Sequence, residues 1–196
     1  MSLGKHMDVS VYQKAKKGNY YCGDSYFYNE TETEFVCALA DGLGSGEFAK
    51  ESSDIVMQII KDHSEVSVNE LVRICNKQLI GKRGVVLGLL KINFEEELYT
   101  FSSIGNIGIM TISSKCEKKR NIPNAGYLGG FHKDFKVVGA KLDPNMTFVM
   151  FSDGVEPKQL SAKYFLEHNV STITEAFSNG EMTYDDDTTL IVMKYT

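Results

Sequence analysis

Proline and low-complexity sequence are scarce in this chain, which has three prolines among its 196 residues. Their scarcity argues against a long disordered linker, and the length is typical of a single domain with a substantial core. No apolar run approaches the roughly 20 residues that span a bilayer, and the N-terminus lacks the apolar segment of a signal peptide. We therefore expect a cytoplasmic protein without a membrane partner. The domain is expected to span 8–196, with 1–7 as a tag remnant or disordered N-terminus.

Excess positive charge and paired cysteines are also lacking. The net charge of −5 argues against nucleic acid as a partner. The four cysteines form no Cys-x-x-Cys pair, so zinc knuckles and thioredoxin-type chemistry are unsupported, and we expect reduced structural thiols. No Walker motif or Gly-x-Gly-x-x-Gly nucleotide motif is present. The basic cluster around Lys118 is expected to be a solvated hairpin loop.

Hydrophobic periodicity predicts strands at both ends of the chain and helices between them. A helix is expected over 47–63, and Ser67 with Glu70 forms the capping-box signature of a second, ending near Gly81. Shorter helices are expected at 161–167 and 171–178. The expected strands are 8–15, 25–29, 34–40, 85–93, 98–104, 107–113, 134–140, 146–152 and 188–195. This order predicts an α+β layered domain of two antiparallel sheets flanked by helices.

Acidic residues stand at four expected strand ends or tight turns: Asp24, Asp41, Asp153 and the pair Asp186-Asp187. Each alone is more often a turn or a solvated loop. Together, each next to an apolar strand, they indicate a shared site, because buried carboxylates require a counter-charge. Divalent cations would supply it, and oxygen ligands favour Mg²⁺ or Mn²⁺ over zinc.

The same residues carry a resemblance to a known family. The motifs Gly23-Asp24, Ala40-Asp41-Gly42, Ser152-Asp153-Gly154 and Asp186-Asp187-Thr188-Thr189 resemble those of the metal-dependent protein phosphatases, the PPM family. The segment 41–46 is similar to its bacterial SpoIIE-type branch, and 76–84, 90–94 and 103–107 resemble the stand-alone phosphatases of stressosomes. The resemblance implies a PPM-type αββα sandwich, two antiparallel sheets flanked by helices, with two Mn²⁺ or Mg²⁺ ions at one edge.

The resemblance also implies roles for individual residues. Asp41 would bridge both metals, the Gly42 carbonyl would bind one, Asp153 and Asp186 would bind the other, and Asp24 would act through metal-bound water. A metal-bridged hydroxide would then attack a phosphoserine or phosphothreonine. The implied substrates are phosphorylated STAS-domain proteins of a stressosome or sigma-factor regulatory pathway. Two further roles are expected from the same motifs, loop support by Asp187 and local hydrogen bonding by Thr189.

Three positions depart from the family pattern. Leu43 and Ser45 stand where many relatives have histidine, and Asn106 stands where the branch often has Gly-His. They motivate an alternative, a pseudophosphatase that acts as a protein-binding module. A small-molecule phosphatase is a third hypothesis, since metal chemistry does not select the leaving group. The phosphate-binding basic residue is not identified by any motif; Arg83 is a candidate, and an exposed loop charge is an equally good interpretation.

Overall fold

The protein is described by a computed structural model covering residues 5–156, 165, 169–179 and 185–196. Its three described helices are α1 (Glu47–Asp62), α2 (Val68–Gln78) and α3 (Val170–Asn179). Its first five strands are β1 (Met7–Lys14), β2 (Asp24–Glu30), β3 (Glu34–Gly42), β4 (Val85–Asn93) and β5 (Leu98–Ile104). The others are β6 (Gly108–Ile112), β7 (Lys118–Arg120), β8 (Val138–Lys141), β9 (Thr147–Phe151) and β10 (Thr188–Tyr195).

The strands form two five-stranded sheets in which every neighbouring pair is antiparallel. The strand orders are β1-β10-β9-β6-β7 and β2-β3-β4-β5-β8. One apolar core lies between the sheets, a second lies under α1 and α2, and a third lies under α3. The predicted sandwich of two antiparallel sheets flanked by helices is therefore confirmed.

Strand β3 has an almost unbroken apolar sequence because both of its faces are buried. Successive side chains of a strand point to opposite faces, so Cys37 and Leu39 enter the core between the sheets while Ala38 and Ala40 face α1 and α2. Both faces are covered, and alternation of polar and apolar residues is lost. The apolar run ends at Asp41, where the strand reaches the edge of the sandwich.

The helices follow the predicted pattern closely. Helix α1 begins after Gly46, whose φ of 77° lies in the left-handed region that favours glycine. The Ser67 side chain accepts the Glu70 backbone N–H at the start of α2, which confirms the predicted cap. The predicted helix 171–178 corresponds to α3, whereas most of 161–167 lies outside the described residues. No helix of the described ranges is long and apolar enough to cross a membrane.

Three details differ from the sequence expectations. The strand expected over 134–140 is reduced to β8, because both main-chain polar groups of Lys136 bond to the Asn124 side chain instead of a strand. The expected basic loop contains β7, which pairs with β6. Met7, assigned to the N-terminal extension, is the first residue of β1; it pairs with Tyr195 and is fully buried between the sheets.

Candidate metal centre

The four acidic motifs meet at one edge of the sandwich. Strands β2 and β3 pair in a register that places Asp24 directly opposite Asp41. In the other sheet β9 and β10 are antiparallel neighbours, so Asp153, just after β9, and Asp186, just before β10, lie at the same end of that sheet. The two sheet ends lie close together, as shown by the 2.8 Å hydrogen bond from the Gly23 N–H to the Asp187 carboxylate.

Asp187 ties the two sheets together at this edge. One carboxylate oxygen accepts the Lys16 N–H and the other accepts the Gly23 N–H, each at 2.8 Å. Lys16 lies near the start and Gly23 at the end of the loop between β1 and β2, so a single side chain fixes the start of β2. A Cβ at Gly23 would lie 3.0 Å from Asp187 Oδ2, which keeps this contact close. The contact is the loop support expected of Asp187.

Asp24 is buried within a hydrogen-bonded chain of side chains. Thr189 Oγ1 donates to Asp24 Oδ2 over 2.6 Å and accepts from Gln13 Nε2 over 3.1 Å. The Thr189 main chain is fixed in turn, because its N–H donates to Ser152 Oγ over 2.9 Å. The other carboxylate oxygen, Asp24 Oδ1, is buried and has no hydrogen-bond partner among the described residues. An unpartnered buried carboxylate oxygen is costly, and a cation or its water would satisfy it.

Burial and nearby negative charges raise the pKa values of Asp24 and Asp41 at this edge. Burial raises the pKa of Asp41 to about 8, assisted by the charges of Asp24, Asp153, Asp186 and Asp187. Burial likewise raises the pKa of Asp24 to about 6, although the hydrogen bond from Thr189 opposes it. Carboxylates in this arrangement favour whatever positive charge reaches them. The edge therefore favours bound cations as well as protons.

The loop after Asp41 is built for close backbone approach. A Cβ at Gly42 would lie 2.0 Å from the Ala49 carbonyl oxygen, so a larger residue cannot occupy this position without moving α1. The next residue is held by a hydrogen bond from the Leu43 N–H to the Gly84 carbonyl, at 2.8 Å. Gly44 has a φ of 102°, a backbone conformation that would be strained for any residue with a side chain. The loop thus presents main chain and little side-chain bulk beside Asp41.

Asn106 departs from the family pattern in the sequence, and in the structure it contacts Asp153 of the metal centre. Its Nδ2 donates to Asp153 Oδ2 over 2.7 Å, across from the turn between β5 and β6. Gly105 has a φ of 78°, and a Cβ there would lie 2.2 Å from a methyl group of Val86, so the turn has little freedom. Burial and the Asp186 charge raise the pKa of Asp153, and the bond from Asn106 opposes that rise.

The oxygen atoms at this edge suit a hard divalent cation, although some of the carboxylates already accept hydrogen bonds from the protein. Among the described residues, no three acidic, histidine or cysteine side chains already form a metal-ligand group. Asp153 and Asp187 instead accept protein N–H groups. Carboxylates, a main-chain carbonyl and the unpartnered oxygen of Asp24 are the oxygen ligands that Mg²⁺ and Mn²⁺ prefer. We regard this edge as the candidate metal centre.

One contact of the metal centre, made by Gln13, could not be predicted from the sequence. Gln13 reaches Thr189 because β1 pairs with β10 in a register that places the two residues opposite each other. No local motif signals that pairing. Arg83 was a candidate in the sequence, and the structure places it in an exposed loop between α2 and β4. A Cβ at Gly44 would lie 3.3 Å from one guanidinium nitrogen of Arg83, so this charge stands beside the metal loop.

Comparison with known proteins agrees with this geometry, although no family model matches the chain. The chain is 31% identical over 188 residues to the phosphoserine phosphatase RsbX of Bacillus subtilis strain 168, covering 96% of this chain and 94% of that protein. It is 25% identical over 158 residues to the stage II sporulation protein E of Priestia megaterium, covering 76% of this chain but only 27% of that protein.

Two solved structures share the fold over nearly the whole chain. A crystal structure of RsbX in complex with magnesium has a TM-score of 0.90 and 31% identity, covering 98% of this chain and 97% of that one. A structure from work on the bacterial stressosome as a modular system has a TM-score of 0.88 and 21% identity, covering 96% and 100%. The chain therefore belongs to the PPM family of metal-dependent protein serine/threonine phosphatases, as an RsbX-like member.

Proposed function

We propose that this phosphatase removes phosphate from phosphoserine or phosphothreonine of STAS-domain proteins in a stressosome or sigma-factor pathway, and that it does so in the cytoplasm. Protein phosphatase activity and a partner-switching or stressosome context follow from the likeness to RsbX. The STAS-domain substrate is the finer proposal. It is supported by the resemblance of segments 76–84, 90–94 and 103–107 to the stand-alone phosphatases of stressosomes.

The observation that carries the site assignment is the convergence of the other acidic side chains on Asp41, together with the buried, unpartnered oxygen of Asp24 opposite it. We assign the metals to Asp41, the Gly42 carbonyl, Asp153 and Asp186, with Asp24 acting through water. Bound divalent cations would lower the pKa of a water molecule and neutralise charge on the phosphoryl oxygens. Each of these ligands stands at a strand end or in the adjoining loop, so the sheets fix its position.

The other residues of the edge serve these ligands. Thr189 holds Asp24, and Asn106 holds one oxygen of Asp153. Arg83 stands beside Gly44 and would meet the phosphate from the side of the loop. The loop segment 42–46 carries no group that titrates near neutral pH. This loop therefore supplies no general acid to the serine leaving group.

The direct experiment measures phosphate release from a phosphorylated STAS-domain protein. Purified enzyme with Mn²⁺ should release phosphate, and EDTA should abolish release. Asp41→Asn should remove activity, while Asp62→Asn, at the far end of α1, should leave it unchanged. If no phosphate is released and EDTA makes no difference, the proposed function is wrong.

The two alternatives have separate tests. The pseudophosphatase hypothesis is not favoured, because RsbX is a phosphoserine phosphatase and all four acidic motifs are retained. Under that hypothesis, Asp41→Asn would leave partner binding intact and turnover would be absent in the parent protein. Comparing turnover of a phosphoserine peptide with that of a sugar phosphate tests the small-molecule alternative.

A further inference from the structure

A group of large apolar side chains lies exposed beside the metal loop. The group comprises Phe48 (65% exposed), Ile80 (66%), Tyr127 (43%) and Phe131 (66%), and we call it the aromatic band. Single exposed apolar residues are ordinary, whereas contiguous ones mark interaction sites. Tyr127 and Phe131 are in ring contact with centroids 6.2 Å apart, and a Cβ at Gly130 would lie 2.5 Å from the Ile80 side chain.

The band is continuous with the metal loop. A Cβ at Gly84 would lie 2.4 Å from the Tyr127 ring and 2.7 Å from Leu43 Cδ1, so glycine alone allows these side chains to close over the main chain. Leu43 directly follows Gly42, the residue whose carbonyl we assign to the metal. A polypeptide that reaches the metal centre from this side therefore crosses the aromatic band.

The exposure of Phe131 is enforced by the structure around it. Asn76 Oδ1 accepts the N–H groups of Gly129 and Gly130, both at 3.0 Å, and Asn76 Nδ2 donates to the Phe131 carbonyl over 2.7 Å. Leu128 is fully buried and exchanges two backbone hydrogen bonds of 2.8 Å with the first residue of β4. The hydrogen bonds from Asn76 and the burial of Leu128 thus fix segment 128–131, and the Phe131 ring stays exposed to solvent.

A groove of about 430 Å³ lies between Phe48 and the start of the α2–β4 loop, where Gly81 follows Ile80 of the band. At one side of it Lys82 forms an ion pair with Glu51 over 2.6 Å. No described residue gives the Arg83 guanidinium a carboxylate partner, and this charge stands against Gly44 of the metal loop. The residues that line the groove are Phe48, Glu51, Ser52, Gly81, Lys82 and Arg83.

We propose that the aromatic band and this groove form the docking surface for a phosphoserine-containing segment of a protein substrate that has apolar residues beside the phosphoserine. This proposal rests on the protein phosphatase activity and deepens it. An unpaired arginine in a protein of net charge −5 complements a phosphate dianion. The apolar neighbours of the phosphoserine would bury against Ile80, Phe131 and Phe48, which otherwise stay in water.

The test compares two phosphoserine peptides of equal length and charge, one with leucine and phenylalanine beside the phosphoserine and one with serine and glycine. With Mn²⁺, the parent enzyme should show about tenfold higher kcat/KM for the apolar peptide, mainly through KM, as expected for burial of one apolar side chain. The double variant Ile80→Ser, Phe131→Ser should lose that preference and keep its rate on p-nitrophenyl phosphate. Arg83→Gln should raise KM for all three substrates.

Leu98→Ser is the matched control, because Leu98 is 40% exposed at the opposite end of β5 from the metal edge. It should retain the preference for the apolar peptide. A parent enzyme that does not discriminate between the peptides, or a double variant that still discriminates, would overturn the docking surface. Turnover of both peptides with the expected preference, but none of a phosphorylated STAS-domain protein, would refute the proposed substrate and leave the docking surface standing.

Discussion

Replacing Thr189 by valine tests the hydrogen-bonded support of the metal centre. The substitution keeps the shape of the side chain and removes a hydroxyl group that is completely buried. Asp24 Oδ2 would lose its donor, 2.6 Å away, and Gln13 Nε2 would lose an acceptor at 3.1 Å. A hydrogen bond to a charged group contributes about 1.5–3 kcal/mol, so we expect a loss of about 2–3 kcal/mol in the free energy of unfolding.

The pH dependence of this loss identifies the carboxylate. Burial raises the pKa of Asp24 in the folded protein to about 6, from an ordinary value of 3.8. The hydroxyl stabilises the ionised carboxylate most, so the cost of Thr189→Val should be complete at pH 8 and smaller at pH 5. Urea denaturation in EDTA at both pH values measures it. Thr189→Ser keeps the hydroxyl and should cost less. Equal losses at both pH values, or a serine variant as unstable as the valine variant, would refute this reasoning.

Three further predictions concern the same edge. Gly42→Ala should destabilise the fold by about 3 kcal/mol or more in urea denaturation, because its Cβ would lie 2.0 Å from the Ala49 carbonyl oxygen; a near-normal midpoint would contradict this. Asn106→Leu should raise the Mn²⁺ concentration needed for half-maximal thermal stabilisation about tenfold or more, since it removes the hydrogen bond that orients Asp153 and adds no charge; an unchanged midpoint would contradict the positioning role. The pKa of Asp41 is raised from 3.8 to about 8 in the folded protein, so the EDTA-treated protein should lose stability as pH rises across that interval. The rise in Tm on adding Mn²⁺ should grow over the same interval, and a flat profile by differential scanning fluorimetry would contradict it.

The fold could be read from the sequence where local pattern and burial agree. Continuous apolar runs marked β3 and β4 because both strands are covered on both faces, and the cap at Ser67 marked the start of α2. The acidic motifs were visible because a charged residue at the end of such a run is unusual. Their convergence at one site was inferred from the four motifs together, and the pairing of β2 with β3 explains how Asp24 and Asp41 come to lie opposite each other.

The remainder depends on contacts between segments far apart in the chain. Strand β8 is short because the Asn124 side chain takes the hydrogen bonds of the main chain at Lys136, and no periodicity reports such a competition. Gln13 joins the metal edge only through the register of β1 with β10. The aromatic band is assembled from α1, the α2–β4 loop and a segment held by Asn76, so its members share no sequence pattern.

The most direct test of the account is anomalous diffraction at the manganese edge from crystals soaked in Mn²⁺. Two peaks are expected at the sheet edge, about 3.5–4 Å apart, with the Asp41 carboxylate between them and Asp153 and Asp186 as ligands. The Gly42 carbonyl should point at one of the ions. Absence of a peak beside Asp41, or separation of Asp41 from Asp153 and Asp186 by more than about 10 Å, would contradict a shared metal centre.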